Sequence, residues 1–331
     1  MSNARQALAL AQQGRAAEAV ALIDDLAARG DGEALWARGL WRVEGRLFPR
    51  DLAAARQDFR RGDEAGHMQA ARIHAAFLAT GAGGARDWAG ALDSLRRWAA
   101  NDPLAARQRD LIGVMDLDAT GAPRATPPHR IVNATPYIAR LEALLTPAEC
   151  AFLADMAEPR LKPALIFHES RKRFVADPVR DSDAAGFPLV FECPAIHALN
   201  RRFAAASRTA VEQGEPLQVL RYHPGQQYRA HLDAIPGMAN QRHLTLLTWL
   251  NDDYRGGETI FTELGLALRG RTGDALIFAN ALPDGRPDPA TRHIGSAVES
   301  GVKLLSSRWI RQNPPLDPAA GFGQHEATAA Q

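Results

Sequence analysis

Apolar and polar positions along this 331-residue chain follow two different rhythms. From Ala4 to about Leu117 the apolar residues recur at helical spacing among Ala, Leu, Arg and Glu, with no alternating stretch, which predicts a run of α-helices. The same positions return after a shift of 36 residues. Asp51 in PRDLAAARQDF becomes Asp87 in ARDWAGALDSL, Gly30 becomes Gly66, and Gly45 becomes Gly81. Ala34 recurs as Ala70 and Ala106, and the core-facing Ile23 as Phe59 and Leu95. A fixed period, with small residues where helices would touch and glycines at the turns, predicts an α-solenoid of helix pairs over 1–117.

The periodicity breaks at DATGAPRATPPHR, a Pro- and Gly-rich stretch that reads as a linker over 118–130, with His129 solvated. Beyond it Thr146 and Glu149 form a capping box at the start of one helix, and PAIHALNRRFAAASRTAVE predicts a second. Short apolar strands then alternate with turn signals: LQVLRY, HLTLLTWL, ETIFTEL, DALIFAN and VKLLSSRWIR. Such a series predicts an antiparallel barrel or jelly roll over 131–315, followed by a flexible tail at 316–331. The expected fold class is α+β: an N-terminal solenoid joined to a C-terminal jelly roll with supporting helices.

Composition narrows the function classes. A net charge of +1 gives no reason to expect nucleic acid or an anionic membrane as partner. Two cysteines, Cys150 and Cys193, are too few for a disulfide framework and lack metal-ligand spacing, so each is expected to be a small core residue. With no apolar run long enough for a signal peptide or a membrane span, the expected location is cytoplasmic.

Four polar residues in the last third carry the candidate chemistry. His231 and Asp233 stand two apart in RAHLDAI, a spacing that puts both side chains on one face of an extended strand. His293 follows in ATRHIGS, and Lys303 ten residues after it. Two imidazoles and a carboxylate are the facial ligand set that holds Fe(II) with open positions, and a lysine can anchor the far carboxylate of a diacid cosubstrate. A chain with ten histidines holds roughly one His-x-acid pair by chance, so the pair gains weight only from its surroundings.

Those surroundings are specific. The runs LQVLRYHPGQQYRAHLDAI, RHLTLLTWLNDDYRGGETIF and GDALIFANALPDGRPDPATRHIGSAVESGVKLLSSRWIR resemble the catalytic domain of prolyl 4-hydroxylases, which are Fe(II)- and 2-oxoglutarate-dependent dioxygenases on a double-stranded β-helix. The resemblance covers about 135–313. The phrases LFPRDLAAARQDFRRGDEAGHMQA and GGARDWAGALDSLRRWAANDPLAA are similar to SEL-type tetratricopeptide-like repeats.

The resemblance implies that His231, Asp233 and His293 bind the iron and that Lys303, Tyr222 and Thr259 bind 2-oxoglutarate. It places Tyr228, Arg242 and Trp309 against the substrate, with Arg180 a thinner match to an arginine on a substrate loop. No catalytic group is expected beyond the iron ligands. Fe(II), 2-oxoglutarate and O2 are the implied cofactors, with ascorbate as reductant. The implied reaction converts an unactivated C–H to an alcohol, with release of succinate and CO2. The expected substrate is a prolyl residue of a peptide or protein, with docking on the helical repeats as a further expectation. The alternatives are another side chain, a small molecule, or a non-catalytic scaffold with a degenerate jelly roll. Ile294, Ala297 and Leu304 depart from frequent family residues, which bears on the substrate and leaves the ligands intact. The sequence is silent on oligomeric state.

Overall fold

The computed structural model describes residues 3–168, 173–176 and 179–314, with 165–168 and 173–176 described by backbone only. The expected tail, 316–331, lies outside the described residues. The chain divides into two compact units, one of 1–122 with 189–198, the other of 123–188 with 199–331.

The first unit contains helices α1 (Asn3–Gln12), α2 (Ala16–Ala28), α3 (Gly32–Glu44), α4 (Leu52–Glu64), α5 (Met68–Thr80), α6 (Trp88–Trp98) and α7 (Pro103–Val114), each packed on the next. The 36-residue shift is visible as repeated local physics. Asp51 and Asp87 cap α4 and α6, their carboxylates accepting from the amides of Ala54 and Gly90. Gly45 and Gly81 end α3 and α5 in the left-handed region, at φ 70° and 80°, where a Cβ would be strained. Ile23, Phe59 and Leu95 are all buried, and the Phe59 ring meets Phe77 edge-on at 5.2 Å. Two buried carboxylates tie helices together. Asp58 accepts from Arg38 and Arg42, and Asp63 accepts from Trp98 and Arg97 and pairs with His74. The short turn Leu189–Phe191 packs on α5, adding Leu189 and Val190 to the cluster around Phe59.

In the second unit, helix α8 (Pro147–Ala157) opens with the complete Thr146–Glu149 capping box. Helix α9 (Pro194–Ser207) begins in the first unit and ends in the second. In chain order the strands are β1 (Arg130–Asn133), β2 (Ile138–Leu141), β3 (Lys162–Pro163), β4 (Leu165–His168), β5 (Arg173–Ala176), β6 (Asp183–Phe187), β7 (Leu217–Tyr222) and β8 (Tyr228–His231). They continue with β9 (Arg242–Trp249), β10 (Arg255–Gly256), β11 (Thr259–Phe261), β12 (Leu266–Leu268), β13 (Ala275–Ala279), β14 (His293–Gly295), β15 (Val298–Ser300) and β16 (Lys303–Arg311). One antiparallel sheet runs β1-β2-β13-β9-β16-β7-β6-β3 and a second runs β12-β11-β14-β8. Successive strands of the second sheet interleave in sequence with β7, β9, β13 and β16 of the first, the winding of a jelly roll.

One apolar cluster joins the two sheets: Leu247, Trp249, Leu276, Phe278 and Leu305 from the first meet Phe261 and Leu268 from the second. These residues alternate along their strands, which fixes the inward face of β9 as Thr245, Leu247 and Trp249. Burying the apolar partners contributes on the order of 2 kcal/mol per side chain, so a one-residue slip of β9 is strongly disfavoured.

Two local expectations change. His129 is held rather than solvated, accepting from the Tyr137 hydroxyl and donating to the Ala206 carbonyl at 2.8 Å. The first part of the expected linker folds as a turn around Asp118, with Gly121 close against the Trp88 ring. Among the described residues no helix is long and apolar enough to cross a membrane. Cys150 and Cys193 are buried free thiols, each pushed up to about 12 by desolvation.

Candidate metal centre

His231 is the last residue of β8 and His293 the first of β14, and the two are paired directly across the sheet. Their ring centroids lie 4.2 Å apart. Asp233 does not share a strand with His231, as its spacing predicts; β8 stops at His231 and the chain bends. The bend is fixed by Gln241, whose side chain accepts from the amide of Ile235 at 2.8 Å and donates to its carbonyl at 2.7 Å. The Asp233 carboxylate thereby lies 3.6 Å from His231 Nε2 and 3.9 Å from His293 Nε2. One ligand atom from each of the three residues falls within 4.8 Å of the others.

The protonation pattern suits a metal. Nδ1 of His231 donates to the Arg229 carbonyl at 2.8 Å, and Nδ1 of His293 to the Thr291 carbonyl at 3.0 Å. Each bond places the ring proton on Nδ1 and leaves Nε2 with its lone pair toward Asp233. Burial pushes the His293 imidazole down to about 4, against the pull of the Asp233 charge, so the ring is neutral at ordinary pH. Burial alone would raise Asp233, but hydrogen bonding from His231 and the charges of His293 and His231 in their protonated forms, together with the Thr245 hydroxyl, hold its carboxyl below the usual range. Two imidazoles and a carboxylate, convergent and largely buried, fit Fe(II) by donor type.

Lys303, at the start of β16, is 3% exposed and pairs across the sheet with Tyr222 at the end of β7. Its ammonium donates to the Gly257 carbonyl at 2.7 Å and lies 5.4 Å from the Tyr222 ring centre. Gly257 sits at φ 68° beside the Lys303 stem, a conformation and a clearance that suit glycine. Burial pushes the Lys303 amine down to about 8, with Glu258 opposing the shift and Arg269 adding to it. Thr259 is buried on β11, two residues beyond the carbonyl that holds the ammonium. Tyr222 is buried too, its hydroxyl pushed up to about 12 by desolvation, so it stays protonated as a donor.

Of the remaining site residues, Tyr228 lies against His231 and Trp309 is paired with Thr245. Tyr228 stacks on the His231 ring at 3.5 Å, with the Arg180 guanidinium 5.5 Å from the tyrosine ring centre. Arg180 also bridges to Tyr228 through the backbone. Trp309 is the cross-strand neighbour of Thr245 and carries the Arg242 guanidinium 3.8 Å over its ring. Arg242 is itself engaged by Glu215, in two hydrogen bonds of 2.7 and 2.8 Å. That bidentate pair is not legible in the sequence, where the resemblance places Arg242 against the substrate.

Sequence reasoning also passed over Thr245 and Asn280. The Thr245 hydroxyl donates to Asp233 Oδ2 at 2.6 Å, and the Asn280 side-chain amide donates to the Thr245 oxygen at 2.8 Å. A signal existed: beyond the exposed His243, Thr245 is the polar residue on the otherwise apolar inward face of HLTLLTWL.

The sequence profile of the 2OG-Fe(II) oxygenase superfamily matches residues 217–311, the span from β7 through β16. Prolyl 4-hydroxylase 1 of Arabidopsis thaliana is 34% identical over 201 residues, covering 55% of this chain and 71% of that protein. Probable prolyl 4-hydroxylase 10 of the same plant is 31% identical over 205 residues, with 55% and 71% covered. Among solved structures, the viral collagen prolyl hydroxylase of Paramecium bursaria Chlorella virus-1 in its 2OG complex is 25% identical. It aligns with 54% of this chain and 98% of its own at a TM-score of 0.42.

Proposed function

The chain belongs to the 2OG-Fe(II) oxygenases, alongside the prolyl 4-hydroxylases, and from that premise we propose that it hydroxylates a prolyl residue of a peptide or protein. The observation that carries the chemistry is the convergence of His231, Asp233 and His293, with both imidazoles presenting Nε2. Those three side chains would hold Fe(II). Lys303 would pair with the distal carboxylate of 2-oxoglutarate, with the hydroxyls of Tyr222 and Thr259 beside it. An ammonium and two hydroxyls satisfy a carboxylate that would otherwise be costly to bury.

When bound, Fe(II) with 2-oxoglutarate and O2 supplies the oxidising power that yields succinate, CO2 and a hydroxylated carbon. The protein contributes binding, orientation and exclusion of water. Phe261 and Phe278 pack on the His293 ring and keep that side of the site apolar. Tyr228, half-buried beside His231, offers an aromatic surface that fits a pyrrolidine ring, with the buried Trp309 behind Arg242. Arg242, held by Glu215, acts as a rigid wall over Trp309, and this is a more restricted role than direct peptide binding. Ascorbate would keep the metal ferrous.

For the helical unit we propose docking of the polypeptide that carries the proline. A cavity of about 260 Å³ between α6, α7 and the Asp118 turn, lined by Trp88, Leu92, Arg96, Arg109 and Ile112, is the candidate surface. Its apolar floor, with Arg96, Arg109 and Asp118 at the rim, suits a peptide that presents hydrophobic residues among polar ones. A Leu92→Asp, Arg109→Glu double variant should raise KM for a protein substrate and leave short peptides unaffected; equal effects on both would reject the docking role.

The direct test combines purified protein, Fe(II), ascorbate and 2-oxoglutarate with proline-containing peptides. The expected result is succinate release together with a gain of one oxygen on proline by mass spectrometry, both lost in His231→Ala. Succinate release with oxygen found only on other residues would overturn the prolyl assignment while leaving the oxygenase chemistry in place.

A further inference from the structure

We propose that Thr245 and Asn280 are positioning residues that set the geometry of the metal ligands, with Asn280 serving two of the three at once. This inference rests on the reading of His231, Asp233 and His293 as those ligands. Thr245, Asn280 and Asp233 are at most 5% exposed, so their hydrogen bonds are made without competing water.

The first connection runs through side chains. The Asn280 amide donates to Thr245 Oγ1 at 2.8 Å. Because that oxygen is accepting, the single hydroxyl proton of Thr245 is directed to Asp233 Oδ2, at 2.6 Å. One lone pair of Oδ2, the oxygen 3.9 Å from His293 Nε2, is thereby engaged, which weakens it as a ligand and favours Oδ1, 3.6 Å from His231 Nε2. The arrangement selects single-oxygen ligation by Asp233 over chelation through both oxygens. Asn280 Oδ1 is buried with no hydrogen-bond partner among the described residues. The amide is therefore not oriented by full satisfaction of its own polar atoms, and its directed contact is the one to Thr245.

The second connection runs through the backbone. The Asn280 carbonyl accepts from the Asp288 amide at 3.0 Å. Asp288 starts the turn Pro289–Thr291, its side chain accepting from the Ala290 amide and its carbonyl from the Thr291 hydroxyl. The Thr291 carbonyl then receives Nδ1–H of His293. The Asn280 amide meanwhile donates to the His243 carbonyl at 3.0 Å, joining the end of β13 to the start of β9. The Asn280 side chain thus holds Asp233 through Thr245, while the main chain at the same position braces the Asp288 turn that holds His293.

The test titrates Co(II) into the metal-free full chain and follows its visible absorption bands, which report affinity and coordination without turnover. Outer residues of this kind change metal affinity on the order of 10- to 100-fold, and Thr245→Val should weaken Co(II) by that amount and alter the band shape. Thr245→Ser, which keeps the hydroxyl, should restore both, and Asn280→Ala should fall between. Melting temperatures of the metal-free variants separate this from a structural role, which would move stability and leave Co(II) affinity in place. A folded Thr245→Val protein with wild-type affinity and spectrum would overturn the proposal. Should that variant not fold, unchanged Co(II) binding by Asn280→Ala overturns it. Failure of the wild-type chain to bind Co(II) would instead overturn the ligand assignment itself, and this inference with it.

Discussion

His231 and His293 are direct cross-strand partners, β8 against β14, with the carboxylate of Asp233 within 3.9 Å of both rings. The sheet, rather than a loop, sets the separation of the two imidazoles, so the site is preorganised before any ion arrives. Binding to the folded state alone should stabilise it by about 2.7 kcal/mol at a metal concentration of one hundred times Kd. A rise in Tm with Fe(II) or Co(II), reversed by chelator and absent in His293→Ala, is the expected thermal-shift result.

Lys303 makes a pH prediction whose sign follows from its burial. Its folded value, about 8, lies below the ordinary 10.5. Between those values the unfolded chain holds more protons, so stability of the ligand-free protein should rise as pH climbs from 8 to 10.5. Binding of 2-oxoglutarate needs the ammonium, so its affinity should be level below pH 8 and fall above it, with proton uptake on binding there. Lys303→Met should flatten both profiles and weaken 2-oxoglutarate about 10- to 100-fold. Calorimetric titrations across this range check each part.

Glu215 accepts from Arg242 and from Arg311, the latter at 2.8 Å. Glu215→Ala would leave two guanidinium groups without their shared partner in a largely buried place. Destabilisation of about 3 kcal/mol or more is expected, read from the denaturant midpoint. Glu215→Gln should cost less, since it retains the hydrogen-bond acceptor.

Gly39 lies inside helix α3, where alanine is ordinarily favoured by about 1 kcal/mol. Here a Cβ would stand 2.5 Å from the Phe59 ring. Gly39→Ala should therefore destabilise the helical unit, by about 1–3 kcal/mol for overpacking. Gly113→Ala in α7, where a Cβ meets nothing, should stabilise or be neutral. Urea unfolding of the two variants gives opposite signs if packing decides, and the same sign if propensity does.

Much of this protein was legible along the chain because its signals are local. Caps such as Asp51, Asp87 and Thr146 act on amides three residues away, and a 36-residue shift in the sequence carries Asp51 to Asp87 and Gly45 to Gly81 at helix ends. Strand periodicity likewise marks the inward faces of β9 and β16, and with them Thr245 and Trp309 as residues of one interior. The His-x-Asp pair, His293 and Lys303 were visible as residue types at intervals, since metal and carboxylate chemistry admits few side chains. Only the fold decided what those residues face. The bend after His231, the Glu215 clamp on Arg242 and the Asn280–Thr245–Asp233 chain join positions between 6 and 35 residues apart. Hydrogen bonds of that kind depend on which strands become neighbours and which oxygen is left unpaired in a dry interior. No local periodicity encodes either; both are settled when the two sheets close over one core.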